Sequence, residues 1–235
     1  MKHQNPASFI EYGKIDITPF LPLIQKYALS ELWNDPFRVK NNGSHKSTEN
    51  LSFIWTPILE QEFFSSYVNP DVIGTDLEQV YQSITEQVLA LVPGKPIRAT
   101  LIRMQPRSVI KYHLDGVHEV WKSCHRIHLP IVTEPEVKFY YKWLNEDGQL
   151  LESSKHLEAG TLVEIDNFIP HGVAHKGHAV RYHLMYDILP TGYSGTFTVN
   201  YHSSKQQLAQ DRQRELTESQ QFFRPIGIPI DPNAF

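Results

Sequence analysis

The sequence predicts a mainly β fold with flanking helices, a sandwich or jelly roll. Three observations predict it. Between Lys95 and Pro190 short apolar-alternating segments follow one another, separated by Pro, Gly or charged turns. Helix-period patterns lie before and after that stretch rather than between its strands, which argues against βαβ units. The chain has 235 residues, 40% hydrophobic and 11% aromatic, enough for one large core.

Taken in order, residues 19–33 read as a short helix, with Pro19 in its first turn and an apolar stripe of Leu23, Ile24, Tyr27 and Ala28. Residues 34–50 are polar and turn-rich and read as a loop. Leu51 to Trp55 reads as a strand stopped by Pro57. Residues 75–92 give the clearest helix. Thr75 or Asp76 caps it, Leu77, Val80, Tyr81, Ile84, Val88 and Leu91 share one face, and Pro93-Gly94 ends it. Strands are expected at 97–105, 108–113, 125–132, 137–143, 161–166 and 180–188. Residues 203–221 are polar and helix-compatible, and the end after Phe222 is Pro-rich and irregular. The expected layout is a support region over 1–94, a β core over 95–190 and a tail over 191–235, in one domain.

Composition excludes several classes. With 22 Lys+Arg against 26 Asp+Glu there is no general basic field, so no nucleic-acid partner is expected. The single cysteine, Cys124, excludes an intrachain disulfide framework or a Cys-rich zinc module and reads as a small packing residue. No apolar run approaches the roughly 20 residues that span a bilayer, and the start lacks the apolar segment of a secretory signal. A soluble, cytoplasmic protein with no membrane partner is the expectation.

Three stretches carry chemistry: Tyr112-His113-Leu114-Asp115-Gly116, His125-Arg126-Ile127-His128-Leu129-Pro130, and Ile169-Pro170-His171-Gly172-Val173 with Arg181-Tyr182-His183. On an extended segment residues i and i+2 point to one side, so His113 and Asp115 can approach one ion. A third ligand must come from elsewhere in the fold, and His171 lies 58 residues after His113. Two His and one carboxylate on one face of an octahedral metal leave three positions open, the facial arrangement of non-haem Fe(II) oxygenases. Alternation on 180–188 puts Arg181, His183, Met185 and Asp187 on one face, and on 125–132 it puts Arg126 and His128 together. Two strands thus aim cations to one side, which suits an anionic co-substrate held by an arginine fork.

This order of motifs resembles the aspartyl/asparaginyl β-hydroxylase family of Fe(II)- and 2-oxoglutarate-dependent dioxygenases, over about Arg98 to Pro190. The run Leu157 to Asn167 before His171 is similar to the family's Gly-to-His strand, and Asp187 is similar to the acidic residue that ends its Arg strand. The resemblance implies a double-stranded β-helix, a cupin-like jelly roll. It implies His113, Asp115 and His171 as iron ligands, and Arg181 on the distal carboxylate of 2-oxoglutarate. Arg126 and His128 would help to hold that co-substrate. The implied reaction uses dioxygen and releases succinate and CO2 while hydroxylating an aliphatic C–H of an amino acid, free or in a peptide. Asp115 stands where the vertebrate members have Gly, so the chain resembles the small bacterial members, including free-proline hydroxylases. Asp115 also argues against halogenation. Ile102 falls near the place of a co-substrate-binding Ser in the family.

Competing readings are an oxygenase of a lipid, sugar or natural-product scaffold, and a cupin-like metal-binding or sensor protein without turnover. An arginine clamp at Arg181 beside an intact triad favours the oxygenase over the binding module. Ion pairs to Asp187 or Asp166 are the structural alternative for Arg181, an ion pair for Arg126, and a hydrogen-bonded core role for His128. His118 is a local competitor as ligand, and His175 and His178 read as turn residues. The 41–50 loop, with His45, Lys46 and Thr48, reads as solvated, with a substrate lid as its functional alternative. Trp121, Tyr140 and Trp143 read as aromatic core, or as the pocket mouth. Substrate identity and oligomeric state do not follow from the residues.

Overall fold

The computed structural model describes residues 9–33, 47–55, 65–115, 119–145, 147–201 and Gln210. The chain enters through strand β1 (Ile10–Lys14), helix α1 (Phe20–Lys26) and a 3₁₀ turn (Glu31–Trp33). Strands β2 (Thr48–Trp55) and β3 (Ser65–Val68) and helix α2 (Asp76–Leu91) follow. The central run is β4 (Gly94–Met104), β5 (Ser108–His113), the short helix α3 (Glu119–Ser123), β6 (His125–Val132), β7 (Val137–Leu144) and β8 (Leu150–Lys155). It closes with β9 (Thr161–Ile165), β10 (His171–His175), β11 (Arg181–Pro190) and β12 (Thr198–Tyr201).

The strands form two sheets, one ordered β1-β9-β6-β11-β4-β2-β3-β12 and the other β5-β10-β7-β8. Their inner faces share one apolar cluster. Met104, Val163 and Ile165 of the large sheet meet Ile110, Phe139, Tyr141 and Val173 of the small one. Two facing sheets with alternating in/out residues make the jelly roll that the sequence predicts. The outer face of the large sheet is covered by α1 and α2. Leu77, Tyr81, Ile84 and Val88 of α2 pack with Phe53, Leu184 and Tyr186 of the strands. The Tyr81 ring stacks on Phe53 at 4.2 Å between centroids.

Helix α2 starts as its sequence predicts. Thr75 Oγ1 accepts from the Glu78 N–H at 3.3 Å, satisfying one of the first-turn donors. The N-terminal helix is shorter than the 19–33 expectation. It stops at Lys26, and the chain turns and re-forms as the 3₁₀ turn that buries Trp33. The strand expected from Leu51 begins at Thr48, because Thr48 and Asn50 pair with Met104 and Ile102 of β4. Strands β1, β3, β8, β10 and β12 and helix α3 have no counterpart among the sequence expectations. The 203–221 helix lies outside the described residues apart from Gln210, which is helical. Among the described residues no helix is long and apolar enough to cross a membrane.

Candidate metal centre

Strands β5 and β10 are antiparallel neighbours with His113 opposite His171. Gly172 makes that approach geometrically feasible: a Cβ there would lie 2.7 Å from the Ile110 carbonyl oxygen, and the pairing register shifts between His171 and Val173. The two imidazole centroids are 4.5 Å apart. Each ring has its Nδ1 2.8 Å from a main-chain carbonyl, His113 on Lys111 and His171 on Ile169. A neutral imidazole donating from Nδ1 leaves the Nε2 lone pair for a metal.

Asp115 follows the end of β5, and its N–H donates to the Asn167 carbonyl at 3.2 Å. Asp115 Oδ1 lies 3.5 Å from His113 Nε2, and Oδ2 lies 3.6 Å from His171 Nε2. The three candidate ligand atoms lie within 4.8 Å of one another, and they are the one group of three or more His, Cys, Asp or Glu of this kind among the described residues. Burial pushes the Asp115 carboxyl up, but the Arg126 guanidinium and the two histidines outweigh it and hold it well below the usual range.

Arg126 of β6 is buried and donates to Asp115 from Nη1 and to Asp187 from Nε. Asp187, 0% exposed, also accepts from Arg98 Nε at 2.5 Å. The guanidinium of Arg98 in turn lies over the Trp121 ring at 4.6 Å. A chain of alternating charge thus runs from the candidate-ligand carboxylate of Asp115 through Arg126 and Asp187 to Arg98, which rests on Trp121 of helix α3.

Arg181 contrasts with this. It opens β11, is 2% exposed, and its Nη1 has no hydrogen-bond partner among the described residues. Burial pushes its pKa down to about 10, with no opposing carboxylate contributing. Asp187 belongs to Arg126 and Arg98, so the ion pair weighed for Arg181 is not formed with it. His128 is buried with both ring nitrogens unpartnered among the described residues. Burial first, then Arg126 and Arg181, hold its pKa well below the ordinary histidine value, so the ring is neutral. Its ring stacks on His183 at 5.1 Å and meets Phe139 at 5.7 Å, and Phe139 lies 5.6 Å from His171. The structure therefore brings His113, Asp115, His171 and Arg126 into direct contact, links His128 to His171 through Phe139, and sets Arg181 close enough to act electrostatically on His128.

His175 is a correction. It is not a turn residue but a buried member of β10, with Nε2 2.7 Å from the Ala179 carbonyl and the Gly177 N–H donating to its Nδ1. It ties down the turn leading to Arg181. His178 lies in that turn, 3.4 Å from Arg107 Nη2. Cys124 packs beside Val120 and Leu189 as a small core residue, its thiol pushed up by burial. Trp121 also belongs to that cluster, and Trp143 packs against the inter-sheet core. His118, His45 and Lys46 lie outside the described residues. The solvated-loop reading is corrected at its end: Thr48 and Asn50 are buried residues of β2, paired to β4, and with Ser52 they form a buried polar row that the alternation of β2 signals.

Two facing sheets around a His/Asp/His group that could hold a metal ion define a jelly-roll protein with a candidate metal site. The sequence signature of the Aspartyl/Asparaginyl beta-hydroxylase family matches residues 36–190. The chain belongs to that family and is a hydroxylase-class enzyme. No curated protein matches it by sequence. Among solved structures it is similar to the nickel complex of the non-heme monooxygenase ThoJ, with 12% identity and a TM-score of 0.51 over 92% of this chain and 95% of that one. A prolyl-4-hydroxylase of Pseudomonas putida is 14% identical, with a TM-score of 0.43 over 79% of this chain and 94% of that one. A 2OG-Fe(II) oxygenase family protein of Burkholderia pseudomallei is 12% identical, with a TM-score of 0.44, and the match covers 60% of this chain and 65% of that one.

Proposed function

We propose that this protein is an Fe(II)- and 2-oxoglutarate-dependent dioxygenase that hydroxylates an aliphatic C–H of an amino acid, free or in a peptide. The observation that carries the reading is Arg181, a buried guanidinium with an unpartnered Nη1 and no counter-ion among the described residues, close enough to act on the His128 that neighbours the His113/Asp115/His171 group. A buried cation without a partner is costly, and a bound dianion relieves that cost. The donors fit the group. Two imidazoles with Nδ1 tied back and one ionised carboxylate suit a divalent first-row metal and leave three positions open.

In this reading His113 and His171 present Nε2, and Arg126 keeps Asp115 ionised and aimed. Arg181 takes the distal carboxylate of 2-oxoglutarate, and the neutral His128 lines the chamber between them. Phe139, wedged beside His128 and His171, excludes water from that side. Held by His113, Asp115 and His171, iron would supply dioxygen activation coupled to oxidation of 2-oxoglutarate to succinate and CO2, one oxygen atom going to succinate and the other to the substrate hydroxyl. Family membership supports the amino-acid half of the proposal.

The test is an anaerobic titration with Fe(II) and 2-oxoglutarate, following the weak visible charge-transfer band of the chelate. Wild type gives the band, and His171→Ala and Arg181→Ala weaken or lose it. An amino-acid screen for succinate release then finds the substrate class. Tight metal binding with no band in wild type overturns the oxygenase reading in favour of a cupin-like binding protein.

A further inference from the structure

A carboxylate enclosed in a dry chamber needs more than one donor group. It offers about four acceptor sites, and an arginine fork fills two of them. The surroundings of Arg181 on the large sheet show what else is at hand. In the cross-strand pairing, Arg181 faces Met104 and His183 faces Ile102, so the β4 strand offers only apolar side chains there. His183 is two residues after Arg181, on the same inward face and roughly 7 Å along the strand. It is 3% exposed and stacks on His128 at 5.1 Å with the rings 20° from parallel. Arg181 acts electrostatically on that same His128. Arg181, His128 and His183 therefore converge on one volume, and His183 is the polar group of β11 next to the guanidinium.

Resting on the 2-oxoglutarate reading above, we propose that His183 is the second donor to the distal carboxylate of the co-substrate, completing a two-residue clamp with Arg181. The imidazole N–H takes the place that Ile102, directly across the sheet, leaves without a donor. Recognition of a five-carbon diacid over a monoacid then depends on two side chains of a single strand. The stack on His128 fixes the His183 ring plane, so the clamp is set before the ligand arrives.

The test measures binding, not turnover. The full chain is loaded anaerobically with Fe(II) and titrated with 2-oxoglutarate, and separately with 2-oxopentanoate, which chelates through the same head but lacks the distal carboxylate. His183→Leu is expected to weaken 2-oxoglutarate about 10- to 100-fold, the range for a hydrogen bond to a charged group. Its affinity for 2-oxopentanoate stays within about threefold of wild type, as an order-of-magnitude allowance for repacking. Ile102→Ser in the His183→Leu background restores most of the lost affinity, which a purely structural role for His183 would not allow. Unchanged 2-oxoglutarate affinity in His183→Leu, or an equal loss for both ligands, overturns the proposal. Should His183→Leu not fold, imidazole ¹⁵N and N–H resonances of the Zn(II)-loaded wild type decide. A His183 N–H that shifts downfield with 2-oxoglutarate and not with 2-oxopentanoate supports it, and no difference between the two overturns it. Wild type that binds neither 2-oxo acid instead brings down the underlying dioxygenase reading, so the two failures are told apart.

Discussion

Replacing Asp187 with Asn tests whether the charge chain behind the candidate metal ligands has the energetics its geometry implies. Asp187 is fully buried and accepts from Arg126 and from Arg98, the latter at 2.5 Å. The substitution keeps the shape and one acceptor oxygen but removes the charge that two guanidiniums share. Breaking a buried ion pair by removing one partner typically costs about 3–5 kcal/mol. The retained carbonyl places the expectation near the lower end, about 3 kcal/mol. For a chain of this length each kcal/mol moves the melting midpoint by roughly 2–4 °C, so Asp187→Asn should lower Tm by about 6–12 °C. Because the pair is buried, the loss should change little between low and moderate salt.

Adding Arg98→Met to Asp187→Asn removes one of the two stranded cations. The double variant should then lose less than the sum of the singles, with a coupling of at least about 1 kcal/mol. Thermal melts of the four proteins in a cycle supply every term. A Tm shift below about 3 °C, or simple additivity, would show that Asp187 is not the shared anion of a buried network. Metal affinity gives an independent readout, since Arg126 orients Asp115 through this network. Asp187→Asn should weaken metal binding about 10-fold even when folded, as outer-sphere partners commonly do.

The remaining predictions are more local. Gly172→Ala places a Cβ 2.7 Å from the Ile110 carbonyl, so β10 must move off β5 and metal binding, read with Co(II) absorption, should be lost or severely weakened. Thr75→Ala removes the cap of α2 and should cost about 1 kcal/mol by chemical denaturation while leaving metal affinity unchanged. Arg181→Met should abolish the thermal stabilisation given by 2-oxoglutarate and leave the ligand-free chain at least as stable as wild type. The pKa of Arg181 is lowered in the fold to about 10, so its charge opposes folding fully below that pH, and the gain from removing it fades as pH rises beyond it. His175→Ala should destabilise by about 1–3 kcal/mol through the turn it holds, checked by urea unfolding.

What the sequence revealed and what it hid divide along physical lines. Alternation placed Ile127 and Leu129 on one face of β6 and Arg126 and His128 on the other, because period-2 patterning is local. Strand β10 escaped notice because His-Gly-Val-Ala-His has no such pattern. Its extended state comes from lying between β5 and β7, a tertiary effect that overrides local propensity. The pairing of His113 with Asp115 was legible as a motif, yet its geometry is made differently. Asp115 lies beyond the end of β5 and is turned into place by its N–H bond to Asn167, more than 50 residues along the chain. The partners of Arg126 were similarly beyond reach, since Asp187 is 61 residues away and no local pattern announces a shared carboxylate.

The two buried arginines of the chamber show why residue type alone does not assign a role. Arg126 and Arg181 are equally hidden from water and sit on neighbouring strands, β6 and β11. Arg126 meets two carboxylates, which raise its pKa against the opposing effect of burial and commit its charge to the protein. Among the described residues Arg181 meets none, so burial lowers its pKa and its charge is left uncommitted by them. A protein selected for stability alone would not keep the second arrangement, because an apolar residue at position 181 would remove a desolvation cost at no loss of packing. Retaining it is consistent with a ligand that is anionic at the Arg181 end and reaches toward Asp115 at the other. It also predicts that the affinity of this chamber for anions falls off sharply when the ligand's second carboxylate is removed, while the metal triad itself is left intact.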